Sequence, residues 1–166
     1  VTFTDPDGVS GSPVTGTIRT RCDPPLGSGT TYYVSTTGSD TNPGTETAPF
    51  ATMQKAANAA VAGSTVLVKA GTYSGGITIP VSGTDSNYIT FMPFGSDVVT
   101  IDGSTNHFII TDRSYIRIKG FRFSRSTGSS ISISGPSAHD IIIEDSTFDD
   151  PAIGGGYGES ALRVQS

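Results

Sequence analysis

From Val66 onward, apolar and polar residues alternate in short bursts that recur about every 25 residues. One series runs Val66-Leu67-Val68, Ile89-Thr90-Phe91, Ile116-Arg117-Ile118 and Ile141-Ile142-Ile143, with steps of 23, 27 and 25 residues between first members. A second runs Ile77-Thr78-Ile79, Val99-Thr100-Ile101, Phe121-Arg122-Phe123 and Ser146-Thr147-Phe148. A third runs Phe108-Ile109-Ile110, Ile131-Ser132-Ile133 and Leu162-Arg163-Val164. Period-two alternation turns one face of each strand to a core and the other to solvent. Triplets that keep their internal spacing predict an all-β parallel solenoid of about four rungs. A β-sandwich also gives short strands at regular spacing. It calls for hairpin dipeptides, and within the repeat Asp102-Gly103 is the one exception; it fits a corner between series. Lys119-Gly120 and Glu144-Asp145 occupy the same place in successive rungs, where a tight corner needs left-handed backbone geometry. Asp145 is accordingly read as a corner residue.

Ahead of the repeat lies one short helix. Thr52 is a suitable N-cap, Gly63 a suitable C′ residue, and the segment between is Ala-rich through about Ala62. Met53, Ala56, Ala57, Ala60 and Val61 form one stripe at helical spacing. A stripe of small residues just before the first rung predicts a lid over the open end of the stack, shielding its strand edges and core.

The segment from Tyr32 to Gly103 carries Tyr33-Val-Ser with Gly38-Ser-Asp, Pro43-Gly, Ala48-Pro-Phe-Ala-Thr, Ala56-Ala57, Gly63-Ser-Thr-Val-Leu-Val, Ala70-Gly-Thr-Tyr and Thr100-Ile-Asp-Gly. It resembles the opening of right-handed parallel β-helix proteins of the polysaccharide-lyase-like (pectin lyase-like) superfamily. The resemblance implies a right-handed β-helix with an N-terminal capping α-helix. It leaves activity open, because relatives include lyases, glycoside hydrolases, epimerases and non-enzymatic surface proteins.

Composition fits an extracellular all-β protein. Of 166 residues, 34% are hydrophobic, Gly numbers 21 and Pro 10, and Ser with Thr exceeds a quarter. A net charge of -5 offers no footprint for nucleic acid or an anionic membrane. No apolar run approaches the roughly 20 residues of a membrane span. The sequence opens on Val1, which predicts a removed signal peptide or a cut boundary. Cys22 is the sole cysteine, so it is a free thiol or an intermolecular link.

Catalytic chemistry is thinly represented, and no catalytic or cofactor-binding residue is assigned. Arg117, Lys119, Arg122 and Arg125 form a basic stretch that can meet an acidic sugar, or simply the outward members of alternating strands. Asp145, Asp149 and Asp150 are the main candidate calcium group, ahead of Asp5-Pro-Asp-Gly8, which reads first as a turn, yet calcium takes six to eight oxygens. His107 and His139 have no second ligand at metal spacing. Tyr32, Tyr33, Tyr73, Tyr88, Tyr115 and Tyr157 are candidate platforms for sugar rings, with Tyr73 and Tyr88 expected to wrap the first rung and Tyr157 to be exposed.

The ends of the stack differ. A lid precedes the first rung, whereas the strand Ala161-Leu-Arg-Val-Gln-Ser166 stops mid-rung. Residues 1–29 form an N-terminal extended arm set off by Pro24-Pro25, and residues 30–166 the β-helix domain. In the arm, Val14, Gly16 and Ile18 share one face of an alternating stretch, making it a candidate donor strand, the alternatives being an arm packed along its own solenoid or a linker from a preceding domain. The expected assembly interface is Val14 and Ile18 against Ala161, Leu162 and Val164 of another copy. Such a head-to-tail contact builds a filament unless it closes on itself. An extracellular structural protein that self-assembles is thus the leading expectation. A fragment of a secreted polysaccharide lyase or related enzyme, and a non-catalytic glycan-binding module, are the alternatives. Polysaccharide is the one other partner foreseen.

Overall fold

The structure is a computed structural model that describes residues 26–149 and 162–165. These contain strands β1 (Thr31–Val34), β2 (Thr65–Val68), β3 (Gly71–Ser74), β4 (Ile77–Thr78), β5 (Ile89–Pro93), β6 (Val99–Asp102), β7 (Phe108–Thr111), β8 (Ser114–Lys119), β9 (Arg122–Ser124), β10 (Ile131–Ser134), β11 (His139–Glu144), β12 (Thr147–Asp149) and β13 (Leu162–Gln165), with one helix, α1 (Met53–Ala59). Three parallel sheets form the sides of the solenoid. Sheet A has the order β1-β2-β5-β8-β11, sheet B β12-β9-β6-β3, and sheet C β13-β10-β7-β4. Each rung contributes one strand to each sheet, and four triplets follow β1.

Register places like side chains over like. In sheet A, Val66 pairs with Phe91, Phe91 with Ile118, and Ile118 with Ile143. In sheet B, Tyr73, Ile101, Phe123 and Phe148 form one inward ladder. Sheet C stacks Ile77, Phe108, Ile131 and Leu162 at the same position. The core is rich in aromatic rings, with Phe91 and Phe108 at 5.5 Å and Phe108 and Phe123 at 6.2 Å between centroids, both edge-on. Burying each such side chain contributes about 1.5–3 kcal/mol.

Two expectations need correction. Ile77-Thr78-Ile79 belongs to the third series, since β4 pairs with β7. The second series begins instead with β3, whose Tyr73 is its one large inward residue. With a single apolar residue among Gly71, Thr72 and Ser74, β3 lacks the alternation that marks its neighbours. The helix also ends earlier than Gly63. Thr52 is the N-cap, its hydroxyl accepting from Lys55 N at 3.1 Å. Ala60, however, is already extended at ψ 145. The Ser64 hydroxyl accepts from Val61 N at 3.0 Å, and Gly63 at φ +82 turns the chain toward β2. Met53, Ala56, Ala57 and Ala60 are buried as expected, but Val61 is 56% exposed.

The lid is built as the small-residue stripe implies. Gln54 in α1 accepts from Thr78 N at 2.8 Å and donates to Thr78 O at 3.0 Å, so its amide completes the edge of β4 as a further strand would. β1 extends sheet A by one strand beyond the first complete rung, and Val34 bridges in parallel to Phe50. At the far end, inward residues lose cover: Phe123 is 0% exposed and Phe148 36%. Ile116 and Ile118 are fully buried, while Ile141 and Ile143 are only partly so.

Candidate functional site

The charged residues gather along the corner between sheets A and B. Lys119 Nζ lies 3.2 Å from Glu144 Oε1 and 3.1 Å from Asp145 Oδ2, and these two carboxylates hold the ammonium above its ordinary pKa. Arg117, on the outer side of sheet A, donates from Nε to Glu144 Oε1 at 2.7 Å. Arg122 Nε meets Asp149 Oδ2 at 2.9 Å. One corner further on, Arg125 grips both oxygens of Asp102, which holds that carboxyl below its usual range and the guanidinium above its own. All four cations of the basic stretch therefore face carboxylates. Their shared effect on an approaching anionic polymer is to cancel the positive field.

Two recesses lined by described residues bear on the site. One of about 390 Å³ runs between the start of α1 and sheet B, with Thr36, Thr52, Gln54, Thr72, Tyr73 and Ser74 among its lining residues. The other, about 170 Å³, follows the charged corner and includes Asp97, Gly120, Arg122, Asp145 and Thr147. Neither brings a nucleophile and a base together.

Two of the three calcium candidates are engaged by these pairings. Asp145 faces Lys119, Asp149 faces Arg122, and Asp150 lies outside the described residues. Among the described residues no group of three or more His, Cys, Asp or Glu side chains converges as a metal site.

The tyrosines divide as follows. Tyr73 is 6% exposed and its hydroxyl donates to Lys69 O at 2.7 Å. Tyr88 is 8% exposed and edge-on to Tyr115, which is in turn edge-on to His139, with centroids 5.5 and 5.1 Å apart. Tyr33 packs edge-on to Phe94 on the outside of sheet A. Tyr157 lies outside the described residues. His107 is fully buried, stacked on Phe123 at 5.5 Å.

Of the expected assembly residues, Leu162 and Val164 lie in β13, in register with Ile131 and Ile133 of β10. Val14, Ile18, Ala161 and Cys22 lie outside the described residues. Sequence reading missed Asp40, whose Oδ1 accepts from Ala51 N and Thr52 N, both at 2.9 Å, and whose Oδ2 accepts from the Thr52 hydroxyl at 2.8 Å. It also missed Asp97, which receives Ala70 N at 2.9 Å. Both partners are distant in sequence, and no local motif announces them. No helix among the described residues is long and apolar enough to cross a membrane.

Comparison with known proteins agrees with this architecture. The profile described as "Pel9A-like, right handed beta helix region" matches residues 32–159. An uncharacterized protein, YwoF of Bacillus subtilis (strain 168), is 37% identical over 72% of this chain, which spans 28% of that relative's length. Among solved structures, pectate lyase Pel9A aligns over 74% of this chain and 34% of its own, at 23% identity and a TM-score of 0.63. The GH136 lacto-N-biosidase from Eubacterium ramulus aligns over 72% and 27%, at 16% identity and a TM-score of 0.62. At these identities the two structures speak for the fold alone. The family match covers every rung from β1 to β12: the chain belongs to the Pel9A-like right-handed β-helix family.

Proposed function

We propose that this chain is the lid-bearing part of an extracellular carbohydrate-active β-helix protein, of the lyase type, whose substrate groove lies on rungs stacked beyond β11, β12 and β13. The observation that carries this reading is the gradient of core burial, from Phe123 at 0% to Phe148 at 36% exposed. An exposed inward aromatic ring invites another layer above it. The described rungs make a poor catalytic surface by themselves, because their cations are matched by carboxylates. The Pel9A-like family to which the chain belongs is the ground on which polysaccharide is taken as the substrate class. The test compares the 166 residues alone with the natural protein that carries them, on pectate and other acidic polysaccharides, by release of unsaturated ends. Turnover is expected only where rungs beyond β13 are present. Cleavage by the 166 residues alone, or none by either, overturns the reading.

A second reading rests on the same exposed rung. Copies of this chain stack head to tail, with the arm around Val14 and Ile18 adding a strand beside Leu162 and Val164 of a neighbour. Light scattering over a concentration series distinguishes the two. Growth into linear polymers supports assembly, and a constant monomer mass rejects it.

A further inference from the structure

The recess of about 390 Å³ beside the start of α1 falls within the size range of small-molecule sites. Its inner polar groups are spent on holding its walls. Tyr73 donates its hydroxyl to Lys69 O, and the Thr52 hydroxyl donates to Asp40 Oδ2 while accepting from Lys55 N. The Gln54 amide is occupied by both backbone groups of Thr78 and by Asn58 Oδ1. A Cβ at Gly71 would lie 2.7 Å from Thr36 Cγ2, so the wall that follows β1 stands hard against β3. These bonds leave three hydroxyls over. Thr36, Thr72 and Ser74 are exposed, and among the described residues none of the three makes a side-chain hydrogen bond. Met53, Tyr73 and Ile77 supply the buried apolar part of the lining. No lining residue carries a charge. Charge returns within one or two rungs, since Ser74 is in register with Asp102 and Thr72 leads through Thr100 to Arg122.

We propose that this recess binds one neutral sugar residue, free or at the end of an uncharged glycan. The site is separate from any groove for acidic polysaccharide on later rungs, and stands whether or not the lyase reading does. A hydroxyl both donates and accepts, so Thr36, Thr72 and Ser74 can meet the hydroxyl rim of a pyranose ring. The C–H faces of that ring suit the apolar part of the lining. A sugar that carries a carboxylate finds no cation among the lining residues, and a charge taken from water without a partner is costly. A wholly apolar ligand leaves the three hydroxyls without water or a partner. Walls already fixed by Asp40, Gln54 and Tyr73 leave little to order when the ligand arrives. The recess holds rather than cleaves, as no carboxylate, histidine or lysine lines it.

The isotope-enriched 166-residue chain is titrated through the millimolar range with D-glucose, D-galactose and D-mannose while its backbone amide shifts are followed. At least one of these sugars is expected to shift the amides of Thr36, Thr72, Ser74 and Gly75 saturably and to leave sheets A and C in place. The matching uronate, and glycerol, which has hydroxyls without a ring, should bind about tenfold more weakly or worse. Cellobiose and lactose separate the two sources. Tighter binding than the free sugar supports a glycan end, and equal or weaker binding supports a free sugar. Thr72→Val with Ser74→Ala removes two outward hydroxyls and should weaken binding by about fivefold or more, from two lost hydrogen bonds. Thr100→Val makes the same change one rung away, outside the recess, and should leave binding unaltered. No saturable shift with any of the neutral sugars overturns the proposal. So does a uronate or glycerol that binds equally well, a response centred elsewhere, or binding that survives loss of the Thr72 and Ser74 hydroxyls.

Discussion

At the scale of single residues, this solenoid is held by its corners. Gly120 and Asp145 follow paired Lys119 and Glu144, and both are left-handed, at φ +75 and +50. Gly103 and Arg125 follow paired Asp102 and Ser124, at φ +70 and +53. Asp112 and Gly135 follow paired Thr111 and Ser134, at φ +51 and +92. Each corner is thus repeated directly above itself, so the bend of one rung templates the next. An L-residue in this region carries a cost of about 1–2 kcal/mol, which makes the glycines sensitive. A Cβ at Gly135 would sit 2.3 Å from Asp112 Oδ1, whereas one at Gly120 meets Pro93 Cδ at 3.2 Å. Gly135→Ala is therefore expected to lose about 2–3 kcal/mol and Gly120→Ala about 1–2 kcal/mol, read from urea midpoints at neutral pH. The reverse order would mean that the Asp112 carboxylate moves aside freely. The correspondence of Lys119-Gly120 with Glu144-Asp145 was legible in sequence because Gly and Asp advertise such corners. Arg125 was not, since nothing about an arginine signals positive φ and only its place above Gly103 imposes it.

At the scale of elements, the lid depends on two side chains that imitate backbone. Asp40 gathers the Ala51 and Thr52 amides ahead of α1, and Gln54 finishes the edge of β4. Burial by itself would raise the Asp40 pKa, but the hydrogen bonds from Thr52 and Ala51 outweigh it and leave the carboxyl below its ordinary 3.8. A depressed folded pKa stabilises above the ordinary value, and the contribution is lost as pH falls through the lower folded value. Titration of the Asp40 carboxyl by NMR should accordingly give a midpoint below 3.8. In Asp40→Asn the acid-linked loosening of the Ala51 and Thr52 amides should disappear. Gln54→Ala removes both bonds to Thr78 and is expected to cost about 1–2 kcal/mol at about 1 kcal/mol per bond, measured by thermal unfolding. An unchanged midpoint would show that water serves the β4 edge equally well. The helix and its Thr52 cap were readable from local spacing. Its true end was not, because Gly63 looks like a C′ residue while the Ser64 hydroxyl, answering Val61 N, stops the helix first. β3 escaped notice for a related reason: one tyrosine among Gly, Thr and Ser carries no period.

At the scale of the whole molecule, the count of rungs was legible because every rung repeats the same inward ladder. The site was not, because the sequence shows Arg117, Lys119, Arg122 and Arg125 as a basic run, and only the fold brings Glu144, Asp149 and Asp102 against them. What remains distinctive among the described residues is polarity of the stack, covered by α1 at one end and with less buried inward residues at β11 and β12. Phe123 and Phe148 test it as a pair, since they occupy successive steps of the same ladder with rings 5.0 Å apart and stacked. Phe123 lies under cover on both sides, so Phe123→Ala is expected to cost about 3–5 kcal/mol. Phe148 is 36% exposed and returns much of its transfer energy to water already. Its truncation in the 166-residue chain should cost less than about 2 kcal/mol. Any layer that seals this end, whether further rungs of the natural protein or another copy, removes that exposure. The cost of Phe148→Ala should then rise toward that of Phe123→Ala, and denaturation of both variants in the natural protein and in the isolated chain reads the difference directly. Equal costs in the two settings would mean that nothing stacks on the last rung.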